Sequence, residues 1–146
     1  MSNKSVSHIL KANLAKYIED AKAKKAIPVL ITPAARRRFN AEGKLEDTHK
    51  VCSELVRKVA RKQKVSLIKL DRKSQELLQS FGAENSQWLF NHLKPGENPN
   101  YPEGKTDDTH FSELGARKMA EIVYAELKSL NPGSINDHFF KSKPKK

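Results

Sequence analysis

"AIPVLITP", residues 26–33, is a short and continuously apolar run closed by Pro33. It is too short for a buried helix. Its β-branched content and the lack of polar alternation point to a strand buried on both faces, as in parallel sheets. "KVSLIKLD", residues 64–71, reads as a second strand of the same kind. Whether the two share a sheet depends on the segment that joins them.

That segment begins with "AARRRFNAEGKLED", residues 34–47, a polar loop with a glycine. A helix is expected from about Asp47 to Lys62, with Val51, Leu55 and Val59 on one face, widened by Val56 and Ala60. Upstream, residues 7–24 carry Leu10, Leu14, Ile18 and Ala21 on one helical stripe, with Lys11, Lys16, Glu19 and Lys22 elsewhere; Ser5 or Ser7 is the expected cap. Downstream, "RKSQELLQSFG", residues 72–82, predicts a short helix with Leu77, Leu78 and Phe81 inward and Gly82 ending it. "ENSQWLFNHL", residues 84–93, is expected to give one or two helical turns. "KPGENPNYPEGKT", residues 94–106, holds three prolines and two glycines and reads as a long ordered loop or lid. The last helix runs from about Ser112 to Leu130, with Ala116, Met119, Ala120, Val123 and Leu127 on one face, and "NPG" stops it.

The order is therefore α-β-α-β-α-loop-α. Strands alternating with helices at this spacing define a doubly wound α/β sheet with right-handed crossovers. Both strands read as interior ones, and the chain supplies no neighbours to flank them. Residues 1–130 are thus expected to form the back portion of a domain, and residues 131–146 a basic, disordered tail.

Composition narrows the function classes. With 146 residues, 37% of them hydrophobic and 31% charged, there is room for one domain with a modest core. No run approaches the roughly 18 apolar residues of a membrane span. The N-terminal residues show no signal-peptide core, because Lys and Asn interrupt the apolar ones. Cys52, the only cysteine, excludes an intramolecular disulfide and a cysteine-rich zinc motif, and beside Val51 and Leu55 it is expected in the core. The net charge of +11 invites a nucleic-acid or polyanion-binding reading. The excess is scattered, however, apart from Arg36-Arg37-Arg38 and the tail "KSKPKK", and neither cluster has interleaved aromatics for base stacking. A solvated surface is the better account, and nucleic acid is not the expected partner.

Chemistry concentrates in "TDDTHFSELGARKMAEIV", residues 106–123. In an α/β sheet the loops at the carboxyl ends of the strands hold the ligands, and the segment before the final helix belongs there. Asp107 and His110 are one turn apart. A hydrolytic His must take and return a proton, and a carboxylate on its other ring nitrogen fixes its tautomer. Asp108, at i−2 from His110, should point away. On spacing alone the stronger reading is a capped helix start, since Asp107, Asp108 and Ser112 all suit an N-terminus. His49, His92 and His138 are isolated, so no zinc site is expected. His92, beside Trp88 and Phe90, is either a satisfied structural His or part of a pocket border. Arg36–Arg38 are either a solvated loop or contacts for an acidic sugar.

The block "DDTHFSELGARKMAEIV" resembles the last conserved block of the GDSL/SGNH hydrolases. "IPVLITPAARRRFNAEGKL", "VSLIKLDRKSQELLQSFG" and "NHLKPGENPNYPEGKTDDTHFSELGA" are similar to their rhamnogalacturonan acetylesterase-like branch, so the resemblance covers about residues 8–128. It implies a partial SGNH, flavodoxin-like α/β/α fold with the N-terminal strands missing, and gives Asp107 and His110 as the triad Asp and His. It implies a serine carbohydrate esterase that deacetylates plant cell-wall polysaccharide, with no metal or cofactor. The family's Gly-Asp-Ser nucleophile motif does not occur here, and the first glycine is Gly43. Asn13 lies on a helix rather than in the family's Asn block. Ser112 reads as a helix cap and not as a replacement nucleophile. The expectation is a chain inactive by itself, completed by a missing N-terminal fragment or self-associating through an open sheet edge.

Overall fold

A computed structural model of the protein describes residues 3–130. The expected tail and the "NPG" stop lie outside the described residues. The elements follow the expected order: α1 (Asn3–Ala23), β1 (Val29–Ile31), α2 (Lys50–Gln63), β2 (Ser66–Ile68), α3 (Leu70–Asn85), a 3-10 turn (Ser86–Leu89) and α4 (Glu113–Leu130). The strands pair in parallel, Val29 against Ser66 and Ile31 against Ile68. Helix α2 forms the crossover and packs on both strands; α1 packs along α2, and α4 packs against β2 and α3. No helix among the described residues is long and apolar enough to cross a membrane.

Two apolar groups hold the layers. Ile18 of α1, Leu55, Val56, Val59 and Ala60 of α2, Ile68 of β2 and Met119 of α4 are buried. Around the carboxyl end of the sheet, Ala35, Leu78, Leu89 and Phe90 form a core against which Phe39, Leu45, Leu77, Phe81 and Phe111 pack. Helix α3 breaks where expected: Gly82 takes φ 74°, ψ 175°, a conformation open to glycine, and one more turn follows.

Several expectations need correction. Helix α1 already runs through Ser5 and Ser7, so neither caps it. Strand β1 is half-buried rather than covered on both faces: Ile31 is 42% exposed, and β2 is its only neighbour among the described residues. Cys52 is exposed and Val51 is 66% exposed, because in the first turn of α2 neither lies on the side turned to the core. The neighbouring Ser53 is buried instead. In α4 the contact face is Gly115 and Met119, while Ala116 and Ala120 are exposed. A Cβ on Gly115 would sit 1.9 Å from the Leu89 carbonyl oxygen, so the helix lies with its bare backbone on the 3-10 turn. That contact and the buried Met119 of the apolar stripe together mark the inward face of α4.

The proline-rich segment is an ordered loop. Leu93 and Lys105 exchange two backbone hydrogen bonds, at 2.8 and 2.9 Å, which closes it into a hairpin. Gly104, at φ 79°, crosses so near the Leu93 carbonyl that a Cβ there would be 2.6 Å from it. The hairpin delivers the chain directly to Asp107.

Candidate active site

Asp107 divides its carboxylate between two tasks. Oδ1 accepts the backbone N–H of Thr109 at 2.8 Å and of His110 at 2.9 Å, winding the loop tightly. Oδ2 lies 2.8 Å from His110 Nδ1. Lys105 Nζ stands 3.7 Å from the same oxygen. The backbone N–H of His110, then that of Thr109, then the His110 ring hold the Asp107 carboxyl well below the usual carboxylate range. An ionised Asp107 accepts Nδ1–H, and in the neutral tautomer that this bond selects the free lone pair is on Nε2. The His110 side chain is 77% exposed, and Nε2 has no hydrogen-bond partner among the described residues. The pair is an oriented imidazole presenting a free base to solvent.

The loop is fastened from two sides. As expected, Asp108 turns away from His110; its Oδ1 receives Arg37 Nη1 and faces His92 Nε2, both at 2.8 Å. Arg37 is no solvated cation: its side chain is 15% exposed, and it also donates to Ser86 Oγ at 3.2 Å and to the Ala83 carbonyl at 2.5 Å. The Arg37 N–H donates to the Asp108 carbonyl at 3.0 Å. The segment leaving the carboxyl end of β1 is thereby tied to the Asp-x-x-His loop, which puts His110 at that edge of the sheet. Arg38 pairs with Glu46 at 2.7 Å, so of the three arginines only Arg36 lacks an ion pair among the described residues. An open groove of about 650 Å³ lies between these arginines, Asp108 and Thr109.

Below the loop a buried polar network joins both strand ends. Thr32, just past β1, donates to Asp71 Oδ1 at 2.6 Å and accepts the Asp71 N–H at 3.0 Å, and Arg57 of α2 pairs with the other Asp71 oxygen. Burial raises the pKa of Asp71, but the Thr32 hydroxyl and the Arg57 guanidinium together outweigh it and leave it below the ordinary value. Sequence reading missed this network, since nothing in "KLD" marks the Asp as paired.

Ser112 is engaged as a cap. Its Oγ accepts the Gly115 N–H at 3.1 Å and donates to the Trp88 carbonyl at 2.6 Å, so its proton and one of its lone pairs are committed to partners other than His110. Asn13 sits exposed on α1. Among the described residues the His49 ring bonds only to Thr48 and the His92 ring meets Asp108; no group of three potential ligands converges as a metal site would require.

A parallel α/β sheet with an Asp-oriented, solvent-facing His at its carboxyl edge is an arrangement suited to proton transfer at the usual ligand edge of such sheets. The chain belongs to the GDSL-like lipase/acylhydrolase family, whose model matches residues 4–123. It is 36% identical over 122 residues to the rhamnogalacturonan acetylesterase RhgT of Bacillus subtilis, covering 84% of this chain and 52% of that protein. To the probable rhamnogalacturonan acetylesterase YesY of the same organism it is 33% identical over 120 residues, covering 82% of this chain and 51% of that one. The chain thus spans about half the length of these relatives. The crystal structure of protein YXIM from Bacillus subtilis superimposes with a TM-score of 0.67 at 25% identity, over 84% of this chain and 31% of that one. The fold is accordingly part of the SGNH three-layer α/β/α architecture.

Proposed function

We propose that this chain supplies the base and its orienting carboxylate to a serine esterase that removes acetyl groups from a pectic polysaccharide of the rhamnogalacturonan type. The observation that carries this reading is the 2.8 Å contact of Asp107 Oδ2 with His110 Nδ1 while Nε2 stays open. In the reaction, a serine attacks the acetyl carbonyl as His110 Nε2 takes its proton, and the imidazolium then passes that proton to the departing sugar oxygen. Asp107 steadies the positive charge in between. The sugar specificity rests on the two acetylesterases the chain is similar to.

The serine is not supplied here. No Gly-Asp-Ser occurs in the sequence, and Ser112 is committed to Trp88 and Gly115. Loss of a triad nucleophile typically costs on the order of a million-fold in rate. The purified chain should therefore hydrolyse a chromogenic acetyl ester no faster than its His110→Ala variant. Turnover abolished by Ser112→Ala would instead make Ser112 the nucleophile. Joined behind the Gly-Asp-Ser-bearing half of a relative, the chain should release acetate, and His110→Ala should remove that activity; a joined enzyme indifferent to His110 would refute the assignment.

A further inference from the structure

Trp88 is 73% exposed, although it stands between the buried Ser86, Leu89 and Phe90. An exposed indole on the rim of a candidate active site leaves a broad, amphipathic face available to a ligand. Its backbone is immobilised: the Trp88 carbonyl accepts Ser112 Oγ at 2.6 Å, and the Leu89 carbonyl accepts the Ser112 N–H at 3.1 Å. The backbone that carries the ring is therefore fastened to the loop that also carries His110, two residues before Ser112.

From Trp88 a groove of about 640 Å³ runs past Gln87, Asn91 and Lys94 to Lys105. That volume lies within the range of small-ligand sites. Asp107 and His110 lie outside its lining, but Lys105, which lines it, reaches toward them, with Nζ 3.7 Å from Asp107 Oδ2. The lining is a set of groups suited to sugars. An indole face covers the apolar C–H face of a pyranose, and the two amides bond to hydroxyls in either sense. Lys94 has no ion pair among the described residues, and Glu97 in the same wall is already bonded to the Lys94 N–H at 2.7 Å. An acidic sugar therefore finds an unspent cation there.

We propose that Trp88 is the stacking platform for a pyranose of an acidic oligosaccharide, held in the groove between Trp88 and Lys105, with Lys94 receiving a uronate carboxylate. The proposal rests on the carbohydrate reading above and names the surface that would hold that substrate.

Trp88 is the chain's only tryptophan, so its emission reports on the platform directly. The probe is a fully deacetylated oligosaccharide of alternating galacturonic acid and rhamnose, with a neutral xylo-oligosaccharide beside it. The full chain should show a saturable change in Trp88 emission with the acidic probe, and weaker binding of the neutral one. By calorimetry, Trp88→Ala should bind the acidic probe about tenfold more weakly, as expected for one aromatic stacking contact. Trp88→Phe should recover part of the loss, and Lys94→Gln should weaken only the acidic probe. Circular dichroism checks that each variant keeps its fold. Unmoved emission, or unchanged affinity in Trp88→Ala, overturns the platform. The two readings fail separately. If the joined enzyme releases acetate while Trp88 ignores the probe, the platform falls and the esterase stands. If binding is saturable and Trp88-dependent but no acetate is released, the platform stands and the esterase falls.

Discussion

Asp107 shows that one carboxylate can both wind a loop and orient an imidazole. The spacing argument sets a helix start against a triad half, yet Oδ1 winds the loop and Oδ2 holds the imidazole. The two tasks can be separated by substitution. In Asp107→Asn the amide oxygen can still accept the two backbone N–H groups, but the amide N–H then faces Nδ1 and selects the opposite tautomer of His110. The expected result is a chain of nearly unchanged melting temperature whose His110 carries its proton on Nε2, read from imidazole nitrogen shifts; an unaltered tautomer would show that Oδ2 does not orient the ring. Asp107→Ala should in addition loosen the loop. What is legible in the sequence at this scale is local. Asp107 and His110 are three apart and announce each other, whereas Asp108 finds Arg37 at a separation of 71 and His92 at 16, contacts that only the folded chain creates.

Elements are legible where apolar periodicity governs them and obscure where small or polar residues do. Leu55, Val56, Val59 and Ala60 mark the inner face of α2, but in its first turn the buried residue is the polar Ser53, and Val51 and Cys52 stand in solvent. The apolar stripe finds Met119 on the contact face of α4 but wrongly adds Ala116 and Ala120, because the other buried contact residue is Gly115, which no hydrophobic count registers. Gly115→Ala should therefore be costly: with the Leu89 carbonyl 1.9 Å from the new Cβ, α4 must shift off the 3-10 turn. We expect a loss of about 1–3 kcal/mol in urea unfolding, against little change for Ala116→Ser on the exposed side. The Thr32–Asp71–Arg57 network makes a second prediction. Asp71 has a folded pKa below its unfolded one, so its contribution is fully present above about pH 4 and fades as pH falls through the lower folded value. Asp71→Asn leaves Arg57 a buried cation without its counter-ion and should cost about 3 kcal/mol at neutral pH. Between pH 6 and pH 3 the wild type should lose stability toward that variant; parallel pH profiles would refute a depressed Asp71.

At the scale of the molecule the decisive feature is the outer edge of β1. Val29–Ile31 pairs with β2 on one side only among the described residues, which leaves backbone N–H and C=O groups open on the other. An unpaired edge invites another strand, and charges or bulges are the usual deterrents. Here Pro28 removes one donor just before the strand, but no charge falls within "VLIT". Apolar surface lies beside the edge, with Ile27 and Ile31 both exposed. Against association stands the strand's length of three residues, which allows only a short ladder. The expected outcome is a weak self-association that rises with concentration, not a tight dimer. Light scattering behind size-exclusion chromatography over a dilution series measures it. Ile31→Lys places a charge on the exposed side chain of the edge strand and should return the chain to monomer without loss of helix content, whereas Trp88→Ala, on the 3-10 turn after α3, should not. A wild type that stays monomeric across the series, and unfolds cooperatively, would mean the edge is too short to recruit a partner. An Ile31→Lys chain that still associates would place the contact elsewhere, with the exposed Ile9 and Tyr17 of α1 the next surface to test.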